Sequence, residues 1–200
     1  MKRPKLLYIS LSSLLLFTIT VILVLTGLST GLDNSANSAI THIQTPVLMA
    51  LAKIADVLFD TLPMLAISII ISILFWFRGS RRHAIQFALT MAAEAIILFL
   101  IKIMIQRARP GNELLPLKDY AFPSGHTTAA VVFFGLLAYF VLRKNYPNKS
   151  RVLLGASLTV ILIAFSRLYL NVHWLTDIMG GLLLGTFILA ASILIRKSSA

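Results

Sequence analysis

The chain has 200 residues, of which 58% are hydrophobic and 12% charged. Soluble domains carry roughly 25% charged residues, so the composition excludes an ordinary soluble domain and points to an integral membrane protein. A formal net charge of +11 would suggest nucleic acid in a soluble chain. Here the basic residues lie between apolar runs, which assigns them to the membrane surface and leaves no nucleic-acid partner. The absence of cysteine excludes disulfides and thiolate metal sites.

A helical span needs roughly 20 apolar residues. Six segments approach that length: Leu6–Leu28, Leu62–Phe77, Ala84–Ile101, Thr127–Leu142, Val152–Leu168 and Trp174–Ile195. The predicted fold class is therefore all-α, an integral membrane bundle of six transmembrane helices, with residues 1–200 as one membrane-embedded domain. The second and fourth segments are short and are expected to extend into their flanks. Lys2, Arg3 and Lys5 precede the first apolar run, as in a signal peptide. That run exceeds the ~7–15 residues of a signal core and no A-x-A site follows it, so a retained anchor is expected. Between the first two spans, residues 29–61 mix polar and apolar positions at helical spacing, which predicts an amphipathic helix at the interface. Glu94, an acid inside the third span, is expected to pair with a polar group on another helix.

Six spans put both termini on one side. With them fall Arg78, Arg81, Arg82, Arg143, Lys144, Lys149, Arg151, Arg196 and Lys197. The opposite side holds Lys53, Lys102, Arg107, Arg109, Lys118 and Arg167, and every acid except Glu94. The excess of Lys and Arg places the first side, and both termini, in the cytoplasm.

Three motifs fall on the predicted outer side. In KIMIQRARP, Lys102 and Arg109 are seven apart, close to two helical turns, and so can share a face. Pro110 is expected to mark the end of that helix. Taken alone, two cations at a span's end could simply reach the lipid headgroups. In FPSGHTT, Pro123 and Ser124 begin a turn, and Gly125 allows close backbone approach. The helix N-terminus that follows presents unpaired N–H groups suited to an oxyanion, with His126 in its first turn. A capped helix start would account for Ser124 and Gly125 without chemistry, but not for the histidine. In SRLYLNVHWLTD, His173 and Asp177 are four apart, neighbours on one helix face. A carboxylate beside an imidazole fixes its tautomer and makes the other ring nitrogen a better base or nucleophile. Arg167 can grip an oxyanion with two parallel hydrogen bonds. Polar groups near hydrocarbon are expensive and usually functional, so their gathering on one face is more telling than any one of them.

Together these motifs resemble the three-part signature of the type 2 phosphatidic acid phosphatase family, part of the superfamily that includes vanadium haloperoxidases. Every signature position is filled within residues 102–177, and the six-span layout is similar over the whole chain. The resemblance implies a lipid phosphatase with His173 as nucleophile, Asp177 orienting it and His126 as general acid and then base. It implies that Lys102, Arg109, Ser124, Gly125 and Arg167 hold the phosphoryl oxygens, with no metal or other cofactor. Arg107 is not a signature position and reads as an interface or substrate-side charge. Family analogy offers undecaprenyl diphosphate, phosphatidylglycerophosphate, phosphatidate or a lipid A phosphate as substrate. A lipid phosphotransferase and a haloperoxidase share the same site, and a transporter or scaffold with a relict site is the non-enzyme alternative.

Overall fold

A computed structural model describes residues 3–143 and 147–198. They form eight helices: α1 (Arg3–Leu25), α2 (Thr30–His42), α3 (Pro46–Leu58), α4 (Thr61–Phe77), α5 (Arg81–Ile105), α6 (Gly125–Leu142), α7 (Lys149–Tyr169) and α8 (Leu175–Ser198). Five of them, α1, α5, α6, α7 and α8, are each long and apolar enough to cross a bilayer. Pro46–Leu58 and Pro63–Phe77, bent by 50° to one another, pass the same test of length and composition only as a pair, which makes six spans if the pair is counted as one. The protein is thus an all-α, multi-pass membrane bundle, with helix boundaries within a few residues of the expected spans, the second, Leu62–Phe77, being matched by α4.

The 29–61 segment departs from its expectation. It forms two helices broken at Ile43–Thr45 rather than one. Pro46 explains the break, because it lacks an N–H and is best placed in a helix's first turn. The Thr45 hydroxyl caps the new start by accepting from Leu48 N at 3.4 Å. Tyr169, at the end of α7, ties this break down. Its hydroxyl accepts from Thr45 N at 2.6 Å and donates to Ile43 O at 3.0 Å. α3 is thereby seated against the end of α7.

Without a hydrophobic driving force between helices in lipid, association depends on close packing and polar contacts. α8 lies between α1 and α6, and glycines set its approach to α6. A Cβ on Gly181 would stand 2.8 Å from Ser124 O, and one on Gly185 would stand 2.9 Å from Thr128 O. Only glycine lets α8 press on the first turns of α6 at this distance. Phe87 and Phe133 meet edge to face at 5.4 Å in the aromatic core between α5 and α6. Glu94 is buried on α5, and its Oε1 has no hydrogen-bond partner among the described residues.

Candidate active site

One end of the bundle gathers the C-terminal ends of α5 and α7 and the N-terminal ends of α6 and α8. All three sequence motifs therefore meet there, each at a helix end.

Lys102 sits in the last turn of α5. The helix stops at Ile105 rather than at Pro110, because Gln106 turns left-handed (φ 49°) and its N–H closes on Lys102 O at 2.9 Å. Arg109 thus lies in the loop beyond, and its expected helical face with Lys102 does not exist. The two cations meet through Asp119 instead. Lys102 Nζ is 2.8 Å from Asp119 Oδ2, and Arg109 Nη2 is 2.5 Å from Asp119 Oδ1. Burial alone would raise the Asp119 carboxyl, but Lys102 and Arg109 outweigh it and hold it at about 2. Arg109 Nη1 also donates to Val172 O and lies 3.5 Å from His173 Nε2.

Ser124 precedes α6 with extended backbone, and its side chain caps no N–H of that helix. Its Oγ accepts from Thr127 Oγ1 at 3.0 Å, and its N–H donates to Asp177 O at 3.0 Å, joining the second motif to the third. With no side-chain cap, the first-turn N–H groups beginning at Gly125 remain available to an anion. His126 Nε2 is 3.5 Å from Asp56 Oδ1 of α3.

Arg167 is fully buried in the last turn of α7. Its Nη1 is ion-paired to Asp56, while Nε and Nη2 have no partner among the described residues. Leaving a buried charged donor unpaired costs more than the ~1–3 kcal/mol of a neutral one. This side chain is therefore poised for an anion offering more oxygens than one carboxylate.

His173 lies in the loop before α8, not on the helix, yet its pairing with Asp177 persists. Asp177, in the first turn, reaches back so that Oδ2 accepts from Trp174 N at 2.9 Å and lies 3.4 Å from His173 Nδ1. A carboxylate only accepts, so the ring proton sits on Nδ1 and the Nε2 lone pair faces Arg109. Burial pushes the His173 imidazole well below its usual range, and Arg109, Arg167 and Lys102 push it further. It is expected to stay neutral where an ordinary imidazole is already protonated. The sign for stability follows: below about 6.5 the unfolded chain takes up a proton that the buried ring refuses, so this group costs stability as pH falls. Imidazole nitrogen shifts of histidine-labelled protein, compared with His173→Gln, would report the titration. A midpoint at or above 6.5 would contradict it.

Sequence reasoning missed four residues. Arg107, read as an interface or substrate-side charge, is instead an inner support. Its Nη1 is 2.5 Å from Asp177 Oδ1 and its Nη2 is 2.6 Å from Asp33 Oδ2. Asp33, on α2, also accepts from Thr176 N at 2.9 Å and Thr176 Oγ1 at 2.7 Å. Asp33, Asp56 and Asp119 complete the set. Their one sequence signal was the crowding of acids on the same side as the motif cations.

Residues 83–199 match the family model described as PAP2 superfamily. Phosphatidylglycerophosphatase B of Bacillus subtilis (strain 168) is 34% identical over 104 residues, which is 48% of this chain and 50% of that protein. The putative undecaprenyl-diphosphatase YbjG of Escherichia coli (strain K12) is 30% identical over 141 residues, 66% of this chain and 65% of that protein. The matches thus span about half of the first relative and just under two thirds of the second. The crystal structure of a transmembrane PAP2 type phosphatidylglycerolphosphate phosphatase from Bacillus subtilis is similar at a TM-score of 0.86 and 25% identity. That likeness covers 96% of this chain and 98% of the other.

Proposed function

This chain belongs to the PAP2 superfamily, and on that premise we propose that it is a membrane lipid phosphatase acting through a phosphohistidine. The observation that carries the reading is the buried Arg167, with two donors unpartnered among the described residues, at the same end of the bundle as the His173–Asp177 pair. His173 Nε2 attacks phosphorus, and the bond to the leaving oxygen breaks as His126 protonates that oxygen. Asp177 holds the Nδ1 proton and offsets the positive charge that develops on the ring. Water then attacks the phosphohistidine, His126 takes its proton, and phosphate leaves. Lys102, Arg109, Arg167, Ser124 and the Gly125 N–H hold the phosphoryl oxygens, a form of electrostatic stabilisation that is usually the largest catalytic contribution.

The substrate is an amphiphile whose phosphate enters the site while its chain stays in lipid. A polyprenyl diphosphate, or a phospholipid phosphate such as phosphatidylglycerophosphate or phosphatidate, fits this chemistry, and the names of the relatives support both. The whole chain acts as one domain, with its working motifs within 102–177. The site faces the extracytoplasmic side and both termini face the cytoplasm, by the distribution of Lys and Arg. The test is phosphate release by the purified protein from a panel of lipid phosphates, lipid A included, at equal concentration, with and without an acceptor lipid. Free phosphate is expected. Appearance of phosphorylated acceptor instead would make the protein a phosphotransferase.

Asp56 occupies the place of one phosphoryl oxygen on Arg167, so substrate must displace it. Asp56→Asn removes the competing charge. Since like charges brought together cost several kcal/mol, inhibition by orthovanadate should tighten about tenfold or more. Unchanged or weaker inhibition would show that Asp56 does not compete with the anion.

A further inference from the structure

A second cationic site stands at the opposite end of the bundle. Arg82 lies in the first turn of α5, Arg143 follows the end of α6 and Arg196 lies near the end of α8, whereas Lys102, Gly125 and Leu175 lie at the other ends of the same helices. The twenty-residue step from Arg82 to Lys102 corresponds to about 30 Å of helix. This site is therefore remote from the phosphatase centre.

The two ends differ in how their charges are balanced. Lys102, Arg107, Arg109 and Arg167 each have an aspartate partner. Among the described residues, Arg82, Arg143 and Arg196 have no carboxylate partner, and the first two act on the charge of the third. Arg196 is nonetheless held in place. Its Nη1 donates to Gln86 Oε1 at 2.6 Å, and its guanidinium stands over Phe140 at 5.8 Å. Arg143 Nη1 is 3.3 Å from Tyr139 OH.

Beneath these arginines a cavity of about 980 Å³ runs between α5, α6 and α8. Its α5 wall is an apolar stripe, Ile85, Leu89, Ala93 and Ile97, at four-residue spacing that follows the helix axis. The polar atoms on its inner wall are satisfied by one another: Gln86 Nε2 donates to Ser192 Oγ at 3.2 Å, and Thr90 Oγ1 lies 2.6 Å from it. The rim thus calls for an anion and the walls for hydrocarbon. That volume sits at the upper end of ordinary ligand pockets.

We infer that this groove binds an anionic phospholipid, its headgroup phosphate against Arg82, Arg143 and Arg196 and an acyl chain along the α5 stripe. Basic pockets between spanning helices hold anionic headgroups in this way. Free phosphate would leave the apolar wall uncovered, and a zwitterionic lipid would bring its own cation to a rim that already repels one. The site is independent of the catalytic reading, because occupancy and not turnover defines it. Phosphatidylglycerol carries no phosphomonoester, so it can be offered without being a substrate of the reaction proposed above.

Native mass spectrometry of the full chain, released from detergent with equal phosphatidylglycerol and phosphatidylcholine of the same acyl chains, tests the inference. One phosphatidylglycerol should be retained in preference to phosphatidylcholine by about tenfold, and Arg82→Gln with Arg143→Gln should bring the two to parity. Ala93→Phe keeps every charge but fills the stripe, and should reduce retention of both lipids. It also serves if the arginine variant fails to fold. Equal retention in the wild type, or a preference that survives both variants, would overturn the inference. So would full competition by soluble glycerol phosphate, which would make the ligand a free anion, or a change of oligomeric state in Ala93→Phe, which would make the groove a contact between copies.

Discussion

His173→Ala is expected to lower phosphate release by on the order of 10⁴-fold or more while leaving the protein folded. The magnitude follows from the role. Loss of an anion-binding donor weakens a step that still exists, whereas loss of the nucleophile removes the step itself. The side chain is buried but lies in a loop between α7 and α8, so truncation breaks no helix. Because Lys102, Arg109 and Arg167 remain, the variant should still bind orthovanadate. Loss of turnover with retained anion binding separates a missing nucleophile from a collapsed site. Near wild-type turnover would remove His173 from the mechanism.

Arg107→Leu should be nearly as damaging although Arg107 does not reach the reacting atoms. Its guanidinium bridges Asp177 and Asp33, both buried to the point of having almost no exposure. Without it, two carboxylates share a dry pocket, and breaking such a buried pair costs about 3–5 kcal/mol. The cheapest escape is for one of them to take up a proton. If that is Asp177, it loses its hold on His173 Nδ1, and turnover should fall on the order of 10²-fold or more with little change in KM. Arg107→Lys keeps the charge but cannot present two nitrogens to two carboxylates, so partial activity is expected. Adding Asp33→Asn to Arg107→Leu removes one orphaned charge and should restore thermal stability without restoring turnover. A double variant less stable than Arg107→Leu alone would refute the bridge.

How much of this was legible in the sequence depends on the range of the interaction. The spans were legible because hydrocarbon thickness sets their length and apolar runs record it. The three motifs were legible as patterns, and the span count put them at one end of the bundle, where the structure also brings them together. The geometry inside the motifs was less so. Helical spacing put Lys102 and Arg109 on one face, but the left-handed Gln106 ends the helix between them, and an aspartate from another stretch unites them instead. Spacing also put His173 on a helix. It lies just before one, and the pair forms because Asp177 turns back toward the chain that precedes it.

Least visible were the partners supplied by the 29–61 segment. Asp33 meets Arg107, and Asp56 meets Arg167, across 74 and 111 positions of sequence. No local period encodes such contacts. They depend on where Pro46 breaks the segment and where Tyr169 ties it down, which is a matter of tertiary packing. Arg107 was undervalued for the same reason: its surroundings, rather than its place in the motif, give it a role.

The central claim is that a covalent phosphoryl group passes through His173. Rapid mixing with a lipid phosphate carrying a radiolabelled phosphoryl group, followed by quenching in alkali and peptide mapping, addresses it directly. The expected result is an acid-labile, alkali-stable label on the peptide containing His173, absent from His173→Ala and discharged on chasing with unlabelled substrate. Label on another residue, or full turnover with no labelled protein at any quench time, would contradict the account.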